Sequence, residues 1–313
     1  MKCQLFPPLE PIQKGFLHLG EEHQMYWQAS GNPRGEPVVW LHGGPGSSAS
    51  PMHRRLFDPE KFYIVQYDQR GCGLSTPKGA INANTTDDLI KDIERLREHL
   101  EVSTWHVAGG SWGGSLGLIY AQSHAHIINK VLLRSTFLCT DSEIERYTQF
   151  PPAACRERWE NIYKLLQTDQ PETVLEYSYR VFCLENDASA QAQLAHAWVT
   201  YEGAMNDYPA PAPAPGAFDD HALIARYRVQ MHYLKNRCFV QQPILMRPEV
   251  LSTLDLTLVH GDQDALCPFE NSLKVKQLAP QAKLVRVNGA GHNMFDKQML
   301  NAMSEQISAW SLN

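Results

Sequence analysis

The sequence predicts an α/β fold in which a mostly parallel sheet is interrupted by a helical insertion. Short apolar runs bounded by glycine alternate with helical patterns in the first half, and this texture returns near the C-terminus. Strands buried on both faces read as continuous apolar runs, and alternation with helices is typical of right-handed crossovers. From about Leu138 to Leu245 the chain is instead rich in Tyr, Trp, Arg, Glu and Ala, which indicates helices. We therefore expect a core at 1–137, a helical cap at 138–245 and the rest of the core at 246–313.

Six apolar runs are the expected strands, and each is followed by a loop that contains glycine or polar residues. Four of them precede the insertion and two follow it. Their lengths suit strands rather than long helices. In chain order, the runs are Pro37–Leu41, Tyr63–Tyr67, Trp105–Ala108, Lys130–Leu133, Leu256–His260 and Lys283–Val287.

Helical patterns separate these runs. Thr85–Asp88 offers a capped, acidic helix start, and from Leu89 onward apolar residues recur on one helical face. A second pattern follows Ser111, and an amphipathic one covers Met299–Trp310. Within the insertion, the alternating prolines of Pro209–Gly216 cannot continue a helix and favour an extended loop.

Composition narrows the class of function. The chain has 313 residues and a net charge of -6, which argues against nucleic acid or an anionic membrane as the main partner. No run approaches the length of a membrane span, and the N-terminus lacks the apolar region of a signal peptide. The seven cysteines are scattered without a CxxC, which favours reduced thiols in the cytoplasm. His124 and His126 form the only H-x-H and lack a third ligand nearby, so we expect no metal and no cofactor.

Ser111 is the candidate nucleophile. It lies in Gly109-Gly110-Ser111-Trp112-Gly113, a G-x-S-x-G pattern between a predicted strand and a predicted helix. In a nucleophile elbow the serine occupies a strained turn, and glycines let the neighbouring backbone pass close by. The pattern alone is weak, but its position between strand and helix is the context that this function requires.

A serine nucleophile needs a base and an orienting acid. His292 follows the last predicted strand in a loop of small residues, and Asp264 follows the strand that ends at His260. The chain order Ser, Asp, His is that of an α/β-hydrolase. Asp262 is the rival acid, and we prefer Asp264 because aspartate at the position of Asp262 is also common in turns.

Two backbone N–H groups are expected to stabilise the oxyanion. One is that of Trp112, the residue after the nucleophile, and the other comes from His42-Gly43-Gly44-Pro45-Gly46 after an earlier strand. We favour Gly44 there, because Pro45 has no N–H to donate. We expect His42 to be structural and to bond the loop through its ring.

With these residues in view, the sequence resembles the prolyl aminopeptidase family, also called proline iminopeptidases. The resemblance covers nearly the whole chain and rests on HGGPG, DQRGCGLS, GGSWGG, a late GDQD, a terminal GH and WVTYEG in the insertion. It implies an α/β-hydrolase core with a helical cap inserted after the sixth core strand. It also implies a serine acyl-enzyme that removes N-terminal proline from small peptides without a metal. Ser111, Asp264 and His292 match the catalytic residues of the family, and Gly44 and Trp112 match its oxyanion donors.

The resemblance also implies substrate contacts. A charged N-terminal amine requires a carboxylate near the acyl site, and Glu202 in YEG matches one such residue of the family. Phe137 matches an aromatic residue that packs on the proline ring. Gln230 stands where the family commonly has a second amine-binding glutamate. Loss of one charge-assisted contact costs about 1.5–3 kcal/mol, or one to two decades of efficiency.

This departure keeps a second function open, namely an esterase or amidase that uses the same three catalytic residues on a substrate without a charged amine. Another carboxylate could instead replace the missing one, and the candidates are Glu143, Glu145 and Asp207. A catalytically silent binding protein is disfavoured because the expected catalytic set is intact. The sequence leaves the oligomeric state open.

Cys267 lies three residues after the expected acid, where the family often has a cysteine. We expect bulky thiol reagents to inhibit by steric block at this position, although Cys267 is not the nucleophile.

Overall fold

The computed structural model of the chain describes residues 5–20, 22–166, 172–210, 218–240, 244 and 247–310. Within them, eight strands form one sheet in the order β1-β2-β4-β3-β5-β6-β7-β8. The strands are β1 (Gln13–Gly20), β2 (His23–Gly31), β3 (Glu36–Leu41), β4 (Phe62–Tyr67), β5 (Trp105–Gly110), β6 (Ile128–Arg134), β7 (Leu256–Gly261) and β8 (Lys283–Val287).

The α-helices of the same residues flank this sheet or lie in the insertion. They are α1 (Pro51–Arg54), α2 (Thr86–His99), α3 (Trp112–His124), α4 (Asp141–Gln149), α5 (Arg156–Tyr163), α6 (Val174–Tyr179), α7 (Ala188–Asp207), α8 (Asp220–Lys235), α9 (Pro248–Leu251), α10 (Glu270–Leu278) and α11 (Lys297–Trp310).

From β4 to β8 the neighbouring strands are parallel, and β1 and β2 add an antiparallel pair at one edge. The predicted α/β fold class is therefore confirmed, and all six predicted runs form strands. Strands β1 and β2 are not among the six predicted runs. Their apolar residues alternate with polar ones and part of β1 is exposed, so they lack the continuous apolar run of a buried parallel strand.

The inserted helices α4 to α9 lie between β6 and β7, after the sixth strand, as the resemblance implies. The division of the chain at 137/138 and 245/246 stays a prediction. Of the predicted proline loop, residues 211–217 lie outside the described residues.

Helix α3 packs unusually close to the sheet, and this closeness positions the turn before it. A Cβ on Gly113 would lie 2.1 Å from the carbonyl oxygen of Leu41 on β3, so only glycine permits the approach. The parallel strands β3 and β5 pair directly, which brings the loops after them to the same edge of the sheet. Among the described residues, no helix is long and apolar enough to cross a membrane.

Candidate active site

Ser111 stands in a strained turn between β5 and α3. Its φ is 58° and its ψ is -126°, a left-handed backbone conformation that non-glycine residues rarely adopt. Its N–H donates to the carbonyl oxygen of Arg134 at 2.9 Å. A Cβ on Gly110 would lie 2.7 Å from the Arg134 guanidinium, so the glycine before the serine leaves room for that side chain. The glycines around Ser111 therefore serve close packing on both sides of the turn.

Asp264 and His292 form a buried pair. The Nδ1 of His292 lies 3.0 Å and 2.8 Å from the two carboxylate oxygens of Asp264. The backbone N–H groups of Leu266 and Cys267 also donate to Oδ1 of Asp264 at 3.0 Å and 2.8 Å. These contacts fix the carboxylate, and the carboxylate in turn fixes the imidazole with Nδ1 toward it.

Burial sets the protonation of this pair. It lowers the pKa of His292, an effect that outweighs the opposing influence of Asp264. Burial alone would raise the pKa of Asp264, but His292 and His260 together hold it well below its usual range. At neutral pH the site therefore holds a neutral imidazole beside a carboxylate, which is the state that a general base requires.

The alternative candidate for the orienting acid, Asp262, makes its contacts away from His292. Its Oδ2 pairs with the guanidinium of Arg286 at 2.9 Å, and its Oδ1 accepts from the N–H of Gly289 at 2.7 Å. These contacts hold the turn after β7 against the turn after β8. Asp262 thus acts as a turn residue, and the imidazole contacts Asp264 instead.

Ser111 and His292 line one open cavity of about 340 Å³, together with Gly44, Trp40 and Phe295. Cys267 lies close to Ser111, and burial raises the pKa of its thiol well above the usual value. Arg134 approaches the same region, and its Nη1 donates to the carbonyl oxygen of His292. The guanidinium therefore braces the loop that carries the base.

The loop after β3 places Gly44 in the lining of the same cavity as Ser111. Its φ is +119°, and a Cβ there would lie 2.6 Å from the nitrogens of Gly46 and Ser47, so the loop requires glycine. The ring of His42 contacts the carbonyl oxygen of Gly43 at 2.9 Å and accepts from the N–H of Gln69 at 3.0 Å. His42 thus bonds the loop through its ring, as expected.

Trp112, which carries the other expected oxyanion donor, is the first residue of α3 and is fully buried. Its indole N–H donates to Oε1 of Gln69 at 2.9 Å. The first N–H groups of a helix have no partner inside the helix, so that of Trp112 is available to a bound oxyanion.

A second, smaller cavity of about 50 Å³ adjoins the first at Ser111 and Gly44. Residues of the loops after β3, β5, β6 and β7 and of the inserted helices all contribute to it. The three expected substrate-binding residues, Phe137, Glu202 and Gln230, all line this cavity. The other residues that line it are Glu143, Ile144, Tyr147, Leu234, Leu266 and Cys267.

Glu202 in this pocket already has four donors. Nη2 of Arg226 lies 2.5 Å from its Oε2, and the hydroxyl of Tyr227 donates to the same oxygen at 3.0 Å. The amide of Gln230 donates to Oε1 at 3.0 Å, and the hydroxyl of Tyr147 approaches that oxygen at 3.4 Å. The expected amine-binding carboxylate is therefore neutralised by a cation of the protein itself.

Sequence reasoning missed Arg226. A signal was present, because Arg226 precedes Gln230 by four residues and the two share one face of α8. The crossing of α7 and α8 brings Glu202 onto that face, and no local sequence pattern predicts this crossing.

The three other candidate carboxylates differ in position. Glu143 lines the small pocket and accepts from the N–H groups of Leu138 and Thr140, the Thr140 hydroxyl and the Asn271 amide. Glu145 is exposed. Asp207 accepts from the side-chain amide of Asn293, next to the base, at 2.8 Å. Only Glu143 of these three lines the pocket, and four donors already occupy it.

Comparison with known proteins places the chain in a family. Residues 36–298 match the α/β hydrolase fold family. A probable proline iminopeptidase of Leptolyngbya boryana is 35% identical over 309 residues, which are 96% of this chain and 94% of the relative. The proline iminopeptidase of Arabidopsis thaliana is 37% identical over 297 residues, covering 93% and 78%. That of Xylella fastidiosa strain 9a5c is 35% identical over 313 residues, covering 96% of each chain.

Solved structures agree on the fold. A 2-hydroxy-6-oxo-6-phenylhexa-2,4-dienoate hydrolase of Rhodococcus sp. strain RHA1 superposes with a TM-score of 0.60 at 19% identity, covering 96% of this chain and 98% of that one. A proline iminopeptidase-related protein of Thermus thermophilus gives 0.57 at 18% identity, covering 96% and 95%. With an α/β-hydrolase sheet and full-length relatives of this similarity, the chain belongs to the proline iminopeptidase family of α/β hydrolases.

Proposed function

We propose that the protein is a serine exopeptidase that releases an N-terminal proline, or a similar small residue, from small peptides. The observation that carries the proposal is the pair of His292 and Asp264 at one open cavity with Ser111, from which a pocket of about 50 Å³ leads off. A pocket of that size beside the nucleophile suits one small residue, whereas the open cavity suits the remaining peptide.

The reaction follows from the proposed roles. The Ser111 hydroxyl attacks the scissile carbonyl carbon while His292 takes its proton through Nε2, and the carbonyl oxygen becomes an oxyanion. The N–H groups of Gly44 and Trp112 stabilise that oxyanion. His292 then gives the proton to the leaving amine, the C–N bond breaks and an acyl-enzyme remains. Water, deprotonated by the same imidazole, releases the acid and restores Ser111.

Asp264 holds the imidazole in the tautomer with its proton on Nδ1 and stabilises the imidazolium that forms. In the small pocket, Phe137 provides an apolar surface for the ring of the substrate. Glu202 and Gln230 face the substrate nitrogen from the cap.

A second candidate function is an esterase or amidase on the same catalytic residues, for a substrate without a charged amine. The ion pair between Arg226 and Glu202 specifically favours it, because a paired carboxylate is a poor acceptor for an ammonium. The two functions differ in one requirement, a free N-terminus.

The test compares kcat/KM for proline p-nitroanilide, acetyl-proline p-nitroanilide and p-nitrophenyl acetate, with Ser111→Ala as control. Selective, Ser111-dependent cleavage of the free-amine anilide is the expected result. Hydrolysis of the acetate ester alone would contradict the exopeptidase function and support the esterase function. Labelling of the native protein, but not of Ser111→Ala, by a fluorophosphonate identifies the nucleophile independently of substrate.

A cytoplasmic location is part of the proposal. Its support is that the six cysteines among the described residues are free thiols, as in proteins of reducing compartments. The acidic net charge of -6 supports small peptides rather than nucleic acid or an anionic membrane as the partner.

A further inference from the structure

The small pocket contains one buried acceptor atom without a partner. The side chain of Gln230 is 2% exposed, and among the described residues its Oε1 has no hydrogen-bond donor. Its Nε2 donates to Glu202 at 3.0 Å, so the amide has a fixed orientation in which Oε1 remains for a ligand. Buried carbonyl oxygens normally have a donor, and a substrate N–H in the pocket would supply it.

Glu202 is not available as that acceptor. A carboxylate offers about four acceptor positions, and four protein donors already face Glu202. Burial disfavours the charged form of Arg226, yet the Glu202 carboxylate holds the pKa of the guanidinium above its ordinary value. The two charges therefore stay and offset each other. An incoming ammonium would have to displace a guanidinium that has no other carboxylate partner among the described residues.

The remaining ionisable groups around the pocket do not replace Glu202. The Glu143 carboxylate on α4 is occupied by its four donors. Burial, with Glu202 next, raises the pKa of Tyr147 and Tyr227 well above the usual value, so both stay neutral donors. Burial likewise keeps the Cys267 thiol protonated. The groups at the adjoining cavity are His53 and Arg134, and burial lowers the pKa of both, to about 3 for His53. The pair of Asp264 and neutral His292 lies there as well.

We propose that Arg226 is a specificity-determining residue which, by holding Glu202, makes Gln230 Oε1 the acceptor for an uncharged N–H on the acyl group. The substrate class is an N-terminal five-membered ring with a neutral N–H, as in the lactam of a 5-oxoprolyl residue. A prolyl residue is accepted in its unprotonated form. The inference rests on the proposed function, because it concerns the acyl group that Ser111 receives.

The experiment measures kcat/KM for 5-oxoprolyl and prolyl p-nitroanilides between pH 6 and pH 9. Free α-amino groups titrate near pH 7.7–8.0. The prolyl-to-5-oxoprolyl ratio of the native protein should therefore rise at least tenfold over this range, whereas titrations of the enzyme itself affect both substrates and cancel.

Two variants test the role of Arg226, and one serves as control. Arg226→Met frees Glu202, and Gln230→Glu adds a carboxylate, so each should raise the prolyl-to-5-oxoprolyl ratio at pH 6 at least tenfold. Arg228→Met removes a cation two residues away that lines neither cavity, and it should leave the ratio unchanged. Thermal unfolding verifies that each variant is folded. If Arg226→Met does not fold, the ratio measured for Gln230→Glu tests the inference.

A prolyl-to-5-oxoprolyl ratio that does not rise from pH 6 to pH 9, or that neither variant changes, would overturn the inference. A second experiment distinguishes failure of this inference from failure of the proposed function. It measures by calorimetry the affinity of Ser111→Ala for 5-oxoprolinamide and for prolinamide. Preferred binding of 5-oxoprolinamide at pH 6 without cleavage of either anilide would reject the exopeptidase and keep the subsite. Preferred binding of prolinamide at that pH would reject the subsite.

Discussion

At the scale of single residues, the site combines one strained residue with several fixed ones. Ser111 holds φ at 58°, whereas the Asp264 carboxylate accepts from two backbone N–H groups and from the imidazole. Strain of this kind costs on the order of 1–3 kcal/mol and persists only where the surroundings determine the geometry. Here Gly110 and Gly113 make room for the packing that does so.

Cys267 gives a prediction at this scale. The residue is buried and lines the small pocket together with Ser111. Because burial raises its pKa, little thiolate is present at neutral pH, and a bulky maleimide should inactivate slowly and faster as pH rises. The measurement is residual activity against time at several pH values, with mass spectrometry to identify the modified residue.

Cys267→Ala should resist the reagent and remain active. Cys183→Ala should stay sensitive, because Cys183 is half-buried and lines neither cavity. Full activity after complete modification of Cys267 would contradict the predicted steric block.

At the scale of elements, the loop after β3 and helix α8 are in contact at Gly46. A Cβ on Gly46 would lie 2.2 Å from the carbonyl oxygen of Arg226. The loop that carries Gly44 is thus packed directly against the helix that carries Arg226 and Gln230. A change in the position of α8 therefore reaches both cavities.

Gly46→Ala tests this contact. We expect a loss of tenfold or more in kcat/KM and a lower Tm, because the methyl group must displace α8 from the loop. Gly20→Ala is the matched control, since Gly20 has a similar φ of +84° but nothing within 4 Å of its Cβ. The control should lose only about 1–2 kcal/mol of stability from the backbone conformation. Equal activity of the two variants would show that the contact does not position the site.

The same scale separates what the sequence predicts from what it does not. The buried parallel strands, the turn at Ser111 and the capped start of α2 at Thr85 are local patterns, and the structure has them where the sequence indicates. The partner of Glu202 depends on how α7 crosses α8, a long-range contact without a local signature. The residues that we propose for substrate choice are therefore harder to predict from the sequence than those proposed for the chemistry.

At the scale of the whole molecule, five histidines that are buried or half-buried have a lowered pKa. Burial is the largest cause in each case, and it lowers the pKa of His53 to about 3, with smaller contributions from His42 and Arg134. The other histidines with a lowered pKa are His42, His106, His232 and His292. Unfolding exposes these groups, and the unfolded chain then binds protons that the folded protein does not.

Stability should accordingly fall on acidification below about pH 6.5, where exposed histidine begins to protonate. For His53 the loss extends from there toward pH 3, with a slope of up to about 1.4 kcal/mol per pH unit. His53→Gln should flatten the dependence of the unfolding free energy on pH between pH 6.5 and pH 5, measured by urea denaturation. The control is His18→Gln, because His18 is exposed, and this substitution should leave the pH dependence of the unfolding free energy unchanged. Parallel curves for His53→Gln and the native protein would contradict the prediction.

The contact between Glu202, Arg226 and Gln230 has a consequence for how substrate preference can evolve in this family. These side chains come from α7 and α8, whereas the residues proposed for the chemistry lie on loops at the ends of core strands. Glutamine and glutamate codons differ by a single nucleotide, so one point mutation in α8 is enough to change the charge of the pocket. A duplicated gene can therefore drift toward another class of N-terminal residue while selection keeps its acyl-transfer machinery intact.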